Sequence, residues 1–353
     1  MTENPPKITV ITVTFNLIKN GREAFFRQCV ESVHNQTYPN IEHLIIDGAS
    51  TDGTLDLIKE YEKKGWLKCY SEPDNGHWNA MNKGAKLATG KYIIYLNSDD
   101  YFVDNKNIIK LCIAELEKKG ENYYSVCKHY VINKNGSPFF PGNSIIPPAP
   151  KELFYRIQTY QHETLICPKK VYEKLGYHNE KYKTAIDYEF NIKLILNGYH
   201  QIYIPDCMTA VRLGGCTTDV NCQATSATID NIFLLYQDIY PWAGFDRTDI
   251  ENMFIKGIMK DKFIKNIKNK IEALNLKNID YNIFYNDLNN FKYKTTLKCK
   301  LFFIITFLEK RAFSNNEMFF FMKVIPLLRI KRKENTTRVY LFGFIPFLKI
   351  KSK

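Results

Sequence analysis

Two carboxylates close the apolar run Tyr92-Ile93-Ile94-Tyr95-Leu96, which continues as Asn97, Ser98, Asp99 and Asp100. Adjacent carboxylates repel. A hard divalent cation bridging to a phosphate offsets that, because Mg²⁺ and Mn²⁺ take oxygen ligands and keep positions open for substrate. The plainer reading is that Asp99 or Asp100 caps the helix that follows. Three other residues carry the same double meaning. Asp47 ends a second apolar run, where it could accept from a base or ribose or simply make a turn. Asp187 opens an amphipathic stretch, either as a helix-start residue or as a general base carried on a rigid helix. His162, in Gln161-His162-Glu163-Thr164, could be catalytic, though a lone His is more often structural.

The elements that must position these groups are legible as alternating periodicities. Ile8–Phe15, Glu42–Ile46, Leu67–Tyr70 and Tyr92–Leu96 read as strands. Arg22–Asn35, Leu55–Lys64 and Trp78–Leu87 read as the helices between them. Short connections between such units predict an α/β fold with a mostly parallel sheet flanked by helices. Ligands of such sheets sit beyond the carboxyl ends of the strands, which is where Asp47, Asp99 and Asp100 fall. A helix over Asn107–Lys119, a strand over Tyr123–Val131, a strand at Leu165–Cys167, a helix over Tyr188–Leu196 and a strand at Ile202–Ile204 follow. Between them, Asn135–Pro150 holds five of the 14 prolines and reads as a long loop. No GxGxxG follows the first strand and no GxxxxGK[ST] occurs, which argues against dinucleotide oxidoreductases and P-loop NTPases.

A chain of 353 residues suggests two domains, or one with an appendage. Nine scattered cysteines without a CxxC pair argue against a zinc site or a disulfide framework and fit a reducing compartment. The start, MTENPPKITV, has no signal-peptide pattern, and no apolar run approaches the ~20 residues that span a bilayer. The net charge of +12 is uneven: Lys256 to Lys353 holds 22 Lys+Arg against 7 Asp+Glu, the first 255 residues 27 against 30. The segmentation predicted is a catalytic domain over 1–215, a helical extension over 216–300 and a basic, apolar tail over 301–353. In the tail, Val324-Ile325-Pro326-Leu327-Leu328-Arg329-Ile330-Lys331-Arg332-Lys333 recurs as Phe344-Ile345-Pro346-Phe347-Leu348-Lys349-Ile350-Lys351-Ser352-Lys353. Joined apolar and basic patches suit an anionic membrane surface. Nucleic-acid binding is the less favoured reading, and a small β-hairpin subdomain or oligomer interface is a third.

ITVITVTFN, LIIDGASTDGT, SEPDNGHWNAMNKGAKLATGKYIIYLNSDD, AIDYEF and VRLGG stand in the order and spacing of bacterial family-2 glycosyltransferases. The chain resembles that family over about Lys7 to Gly215, most of all the branch that builds lipopolysaccharide, lipooligosaccharide, capsule or other surface glycans. The resemblance implies a GT-A, Rossmann-like fold and a nucleotide-sugar donor, UDP being favoured. It implies a lipid-linked or glycan acceptor at the cytoplasmic face of the inner membrane. It places Thr14, Asn16, Asp47, Asp74, Asn75 and Gly76 at the nucleotide, and Asn82, Lys83 and Gly84 on the helix under the donor. Asp99, with Asp100 beside it, would hold a divalent metal, Mn²⁺ or Mg²⁺, and Asp187 would be the base of an inverting transfer. Trp78 could stack on a sugar ring or be a helix aromatic. Two departures stand out: the DxD-like motif begins with Asn97, and Asn79 replaces the Asp usual before AMNKG. The rival class is a catalytically silent nucleotide-sugar-binding scaffold of a membrane glycan assembly complex. A sugar nucleotidyltransferase is weaker, since Thr14–Gly21 lacks its glycine-rich basic loop.

Overall fold

The computed structural model describes residues 4–103, 106–138, 161–182, 186–213, 233–235, 237–238, 246–248, 329–333, 336–341 and 345–351. The chain divides into two compact units, Met1–Phe254 with Met259–Leu288, and Ile255–Ile258 with Asn289–Lys353.

The first unit is built on a mixed, mostly parallel sheet of eight strands in the order β3-β2-β1-β4-β7-β6-β8-β5. Its strands are β1 (Ile8–Thr14), β2 (Ile41–Asp47), β3 (Lys68–Ser71), β4 (Tyr92–Tyr95), β5 (Tyr101–Phe102), β6 (Tyr123–Ile132), β7 (Leu165–Pro168) and β8 (His200–Arg212). The helices are α1 (Glu23–His34), α2 (Thr54–Lys63), α3 (His77–Leu87), α4 (Ile108–Lys119), α5 (Lys169–Leu175) and α6 (Ile186–Leu196), with a 3₁₀ turn at His162–Thr164. β1 pairs in parallel with both β2 and β4, so all three carboxyl ends open on one edge. Continuous apolar β-branched sequence explains why these strands are covered on both faces.

Ile8 and Val10 face a core with Cys29 and Val33 of α1 and Ile108, Ile109, Cys112 and Leu116 of α4. Ile45 joins Phe26 and Val30 of α1 and Leu57, Ile58 and Tyr61 of α2. α3 lies so close to β1 and β2 that a Cβ on Gly84 would stand 2.5 Å from Ile11 Cγ2 and 3.0 Å from Ile46 Cγ1. The glycine there is a packing requirement.

The structure extends the sequence reading at three places. The two-residue β5 and the helix α5 were not anticipated, and β8 runs over 13 residues where Ile202–Ile204 had been expected. Most of β8 is paired in parallel with β6, through Ile132↔Arg212. The length of β8 is thus set by its partner β6 more than by its own pattern. The five cysteines with described side chains, Cys29, Cys69, Cys112, Cys127 and Cys167, are free. Pieces 233–235, 237–238 and 247–248 are helical. The loop beyond Pro138, residues 183–185, Gly214-Gly215, most of the helical extension expected over 216–300 and residues 301–328 of the tail lie outside the described residues. Among the described residues no helix is long and apolar enough to cross a membrane.

The second unit contains an antiparallel sheet of β9 (Arg329–Lys333), β10 (Thr336–Leu341) and β11 (Ile345–Lys351), with β10 in the centre. Its register sets Arg338 opposite both Lys331 and Lys349.

Candidate active site

The loops after β1 and β2 are laced together around Asp47. Asp47 Oδ1 accepts from the Thr14 hydroxyl at 3.0 Å and the Ser50 hydroxyl at 2.6 Å, while Oδ2 accepts from Ser50 N and the Ser71 hydroxyl, each at 2.8 Å. Asn16, in the left-handed region at φ 47°, accepts from Thr51 N through Oδ1, and its own N–H donates to Ser50 Oγ at 2.8 Å. Asp74 caps its own turn, taking Gly76 N at 2.8 Å, and Asn75 N donates to Asn79 Oδ1. A Cβ on Gly48 would lie 2.7 Å from Asp74 Oδ2 and 3.2 Å from the Phe15 ring. The carboxyl ends of β1 and β2, the 74–76 turn and Phe15 therefore share one edge. Phe15 is 60% exposed there, an aromatic face held open beside an acidic turn. Sequence reasoning passed over Phe15 as one more residue of an apolar strand.

The second half of the site is the loop Asn97–Asp100. Asp99 forms an ion pair with Arg22 at 3.1 Å, and its side chain is 13% exposed. Burial raises its carboxyl above the usual range, against the opposing pull of Arg22. Asp100 is buried, and Oδ1 accepts Arg212 N at 2.7 Å while Oδ2 accepts Asn97 Nδ2 at 3.2 Å. Arg212, on β8, also gives Nε to the Asp99 carbonyl at 3.0 Å, reaches Gln28 and the Lys134 carbonyl, and stacks 4.0 Å over the Phe25 ring. The arginine inside VRLGG thus holds the loop from below.

His162 links this loop to α6. Its Nδ1 lies 3.2 Å from both oxygens of Asp187, and its Nε2 lies 3.2 Å from Asn97 Oδ1 and 3.0 Å from Glu163 Oε1. Asn97 Nδ2 in turn donates to Glu163 Oε1. Burial opposes a charge on His162, but Glu163 and Asp187 overcome it and hold the imidazole well above its usual range. Burial would raise the Glu163 carboxyl too, yet the His162 charge takes it down to about 2. Asp100 is shifted the other way: burial, then the charges of Glu163 and Asp99, push its carboxyl well above the usual range. Trp78 meets His162 edge-on at 5.8 Å and His178 at 4.9 Å.

The residues named from the sequence are therefore not all in one place. Thr14, Asn16, Asp47, Asp74, Asn75 and Gly76 gather at the ends of β1 and β2. Asp99, Asp100, His162 and Asp187 form the second cluster. Asn82 is buried and spends its amide on His178 N and O and on Glu180, so it latches α3 to the segment after α5. Lys83 reaches the Pro73 carbonyl and Glu72, each at 2.7 Å, and braces the 72–76 turn. Glu163, Arg22 and Arg212 complete the site and were not singled out. The neighbours Gln161-His162 and the VRLGG motif were the signals available for two of them.

The donor set was tested for a divalent cation. Both oxygens of Asp100 are occupied by protein donors, which leaves Asp99 as the carboxylate at the loop's partly exposed position. Among the described residues no group of three or more His, Cys, Asp or Glu could cage a metal. One hard carboxylate fits a cation whose other ligands are phosphate and water, as Mg²⁺ commonly takes.

The profile of glycosyl transferase family 2 matches residues 9–191, just over half of the chain and the whole span from β1 to α6. The chain belongs to glycosyl transferase family 2. A PGL/p-HBAD biosynthesis glycosyltransferase of Mycobacterium bovis is 27% identical over 196 residues, 54% of this chain and 71% of that protein. A glycosyltransferase of Rickettsia felis is 35% identical over 144 residues, 39% of this chain and 23% of its own length. Among solved structures, Staphylococcus aureus TarS in complex with UDP-GlcNAc superposes with a TM-score of 0.53 at 17% identity, covering 98% of this chain and 99% of that one. GalNAc-T7 with UDP, GalNAc and Mn²⁺ gives 0.51 at 19% identity, over 80% of this chain and 58% of that one. At such identities the structural likeness is one of fold, and it is the GT-A fold. This family 2 protein is a glycosyltransferase.

Proposed function

We propose that the enzyme transfers a sugar from a nucleotide donor, UDP-linked, to a hydroxyl of a lipid-linked or lipopolysaccharide-type glycan, with inversion at the anomeric carbon. One observation carries this reading: Asp187, 16% exposed, is joined through His162 to the same Asn97–Asp100 loop that presents Asp99. A carboxylate for the acceptor and one for the diphosphate are thereby held in one hydrogen-bonded assembly. The UDP-GlcNAc and Mn²⁺ complexes of the structural neighbours support a nucleotide-sugar donor and a metal.

The chain's own residues supply the following. Phe15 offers a stacking face to a base, beside the Asp47 and Asp74 turns that shape its edge. Asp187 takes the proton of the acceptor hydroxyl as the new bond to the anomeric carbon forms and the bond to the diphosphate breaks. A carboxylate is a weak base in water and is effective only within hydrogen-bond reach of that hydroxyl. Attack from the face opposite the leaving group inverts the centre. Arg22 stands 3.1 Å from Asp99, where a cationic side chain opposes charge developing on a diphosphate. A divalent cation held by Asp99 would supply further charge neutralisation at the leaving group.

The register of the second unit supports docking on an anionic membrane. Like charges directly opposite on neighbouring strands destabilise a sheet, and a sheet of negative headgroups relieves the Lys331–Arg338–Lys349 row.

Purified protein would be screened with Mn²⁺ and with chelator against UDP-, GDP-, dTDP- and CMP-sugars. One donor hydrolysed with metal, with binding weakened in Asp99→Ala and turnover alone lost in Asp187→Ala, is the expected result. Metal-dependent binding without turnover of any donor would favour the scaffold reading, and no binding at all would remove both.

A further inference from the structure

We infer that His162 and Glu163 form a buried ionised pair that positions the Asp187 carboxylate and ties it to the Asn97–Asp100 loop, and that Asn97 is an amide because this pair requires one. The inference rests on the reading of Asp187 as the base.

Hydrogen-bond bookkeeping around the ring carries it. Among the described residues Nδ1 faces the two Asp187 oxygens alone, and Nε2 faces Asn97 Oδ1 and Glu163 Oε1. All four neighbours are acceptors, since Asn97 Nδ2 is directed at Glu163 and Asp100. A neutral imidazole has one donor and one acceptor nitrogen and would leave an acceptor against acceptors; an imidazolium donates from both. Glu163, 1% exposed, is the counter-ion on the same turn. Burying such a pair is expensive, and apolar residues of similar size would serve stability as well. A bifurcated hydrogen bond to both Asp187 oxygens fixes the plane of that carboxylate, which free rotation about its side chain would not. Other charged and titratable groups facing this assembly are Asp99 and Asp100 from the loop, His77 of α3, Tyr95 of β4, His129 of β6, Tyr172 of α5 and His178. His178 stays neutral, because burial takes it well below its usual range.

The assignment also accounts for the departure at the first position of the DxD-like motif. Asn97 gives Nδ2 to two carboxyl groups and Oδ1 to the imidazolium. An aspartate would lose both donations and place a further anion against Glu163 and Asp100.

Full-length protein labelled with ¹⁵N-histidine tests the pair without any ligand. Both His162 ring nitrogens should resonate as N–H through pH 8 in the wild type, and that signature should move to lower pH in Asp187→Asn and in Glu163→Gln. Donor hydrolysis, with the sugar nucleotide selected by the screen or with UDP-GlcNAc, tests the role. His162→Gln should lower kcat about 10- to 100-fold with donor KM within about twofold. Asn97→Asp should lower kcat in the same way and should not tighten Mn²⁺ binding. His162→Gln with wild-type kcat beside an inactive Asp187→Asn would overturn the inference alone. Asp187→Asn with wild-type kcat would overturn the base reading and the inference with it. A His162 ring that titrates in the ordinary histidine range would overturn the ion pair, whatever the variants do; this also covers the case where His162→Gln does not fold.

Discussion

Four hydrogen bonds converge on Asp47, and they decide what that residue does. With both oxygens engaged by Thr14, Ser50 and Ser71, it ties the carboxyl ends of β1, β2 and β3 together from within the protein. Asp47→Ala strands the buried donors of Thr14 and Ser50 and releases the exposed Ser71 hydroxyl, and stability should fall by about 2–4 kcal/mol, read from urea unfolding. A second residue-scale prediction concerns acid. His43 is 4% exposed, bonded to the Thr12 hydroxyl at 3.1 Å, and burial lowers its imidazole to about 3. The unfolded chain protonates it near pH 6.5, so the unfolded state binds the extra proton first. Stability is therefore full above about 6.5 and declines as pH falls toward 3, by up to about 1.4 kcal/mol per pH unit for this group. Thermal melts at pH 7, 6 and 5 should show a shallower decline in His43→Gln than in the wild type.

At the scale of elements, α3 is the tightest joint. Gly84 lets the helix approach β1 and β2 to van der Waals contact, and a methyl group there meets Ile11 at 2.5 Å. Gly84→Ala should cost about 1–3 kcal/mol through overpacking, with the urea midpoint reduced. Because α3 braces the 72–76 turn through Lys83, donor affinity should fall in the same variant, measurable by titration calorimetry. The strands and helices around this joint were legible because each carries its own period. Runs such as Ile8–Thr14 and Tyr92–Tyr95 are β-branched or aromatic throughout and announce burial on both faces. β5 and the outer half of β8 carry no such signal, since two residues have no period and β8 borrows its order from β6 and β5.

At the scale of the molecule, charge and chemistry occupy different stretches. The cluster of carboxylates lies in the first unit, while the basic excess runs from Lys256 to Lys353. The sheet of β9 to β11 adds a register to that excess, aligning Lys331, Arg338 and Lys349 across three strands. Removal of residues 329–353 should reduce retention on vesicles containing phosphatidylglycerol, and retention of the intact chain should fall steeply between low and physiological salt. Equal retention of both forms in a flotation assay would set the membrane reading aside in favour of an interface.

The sequence by itself determined the α/β class, the positions of Asp47, Asp99 and Asp187 at element ends, and the family motifs, because periodicity and turn chemistry are local. It determined the excess of positive charge in the tail, because charge is a sum over residues. Which carboxylates meet was beyond it. Asp187 and Asn97 are 90 positions apart, and only the folding of α6 against the 3₁₀ turn brings both onto His162. Glu163 and Arg212 look ordinary in the chain; their partners come from the loops after β4 and β6, through contacts that no local pattern encodes. That Asp100 is engaged inside the protein while Asp99 stays partly exposed is likewise tertiary. It depends on the Arg212 N–H reaching across from β8, together with the Asn97 amide.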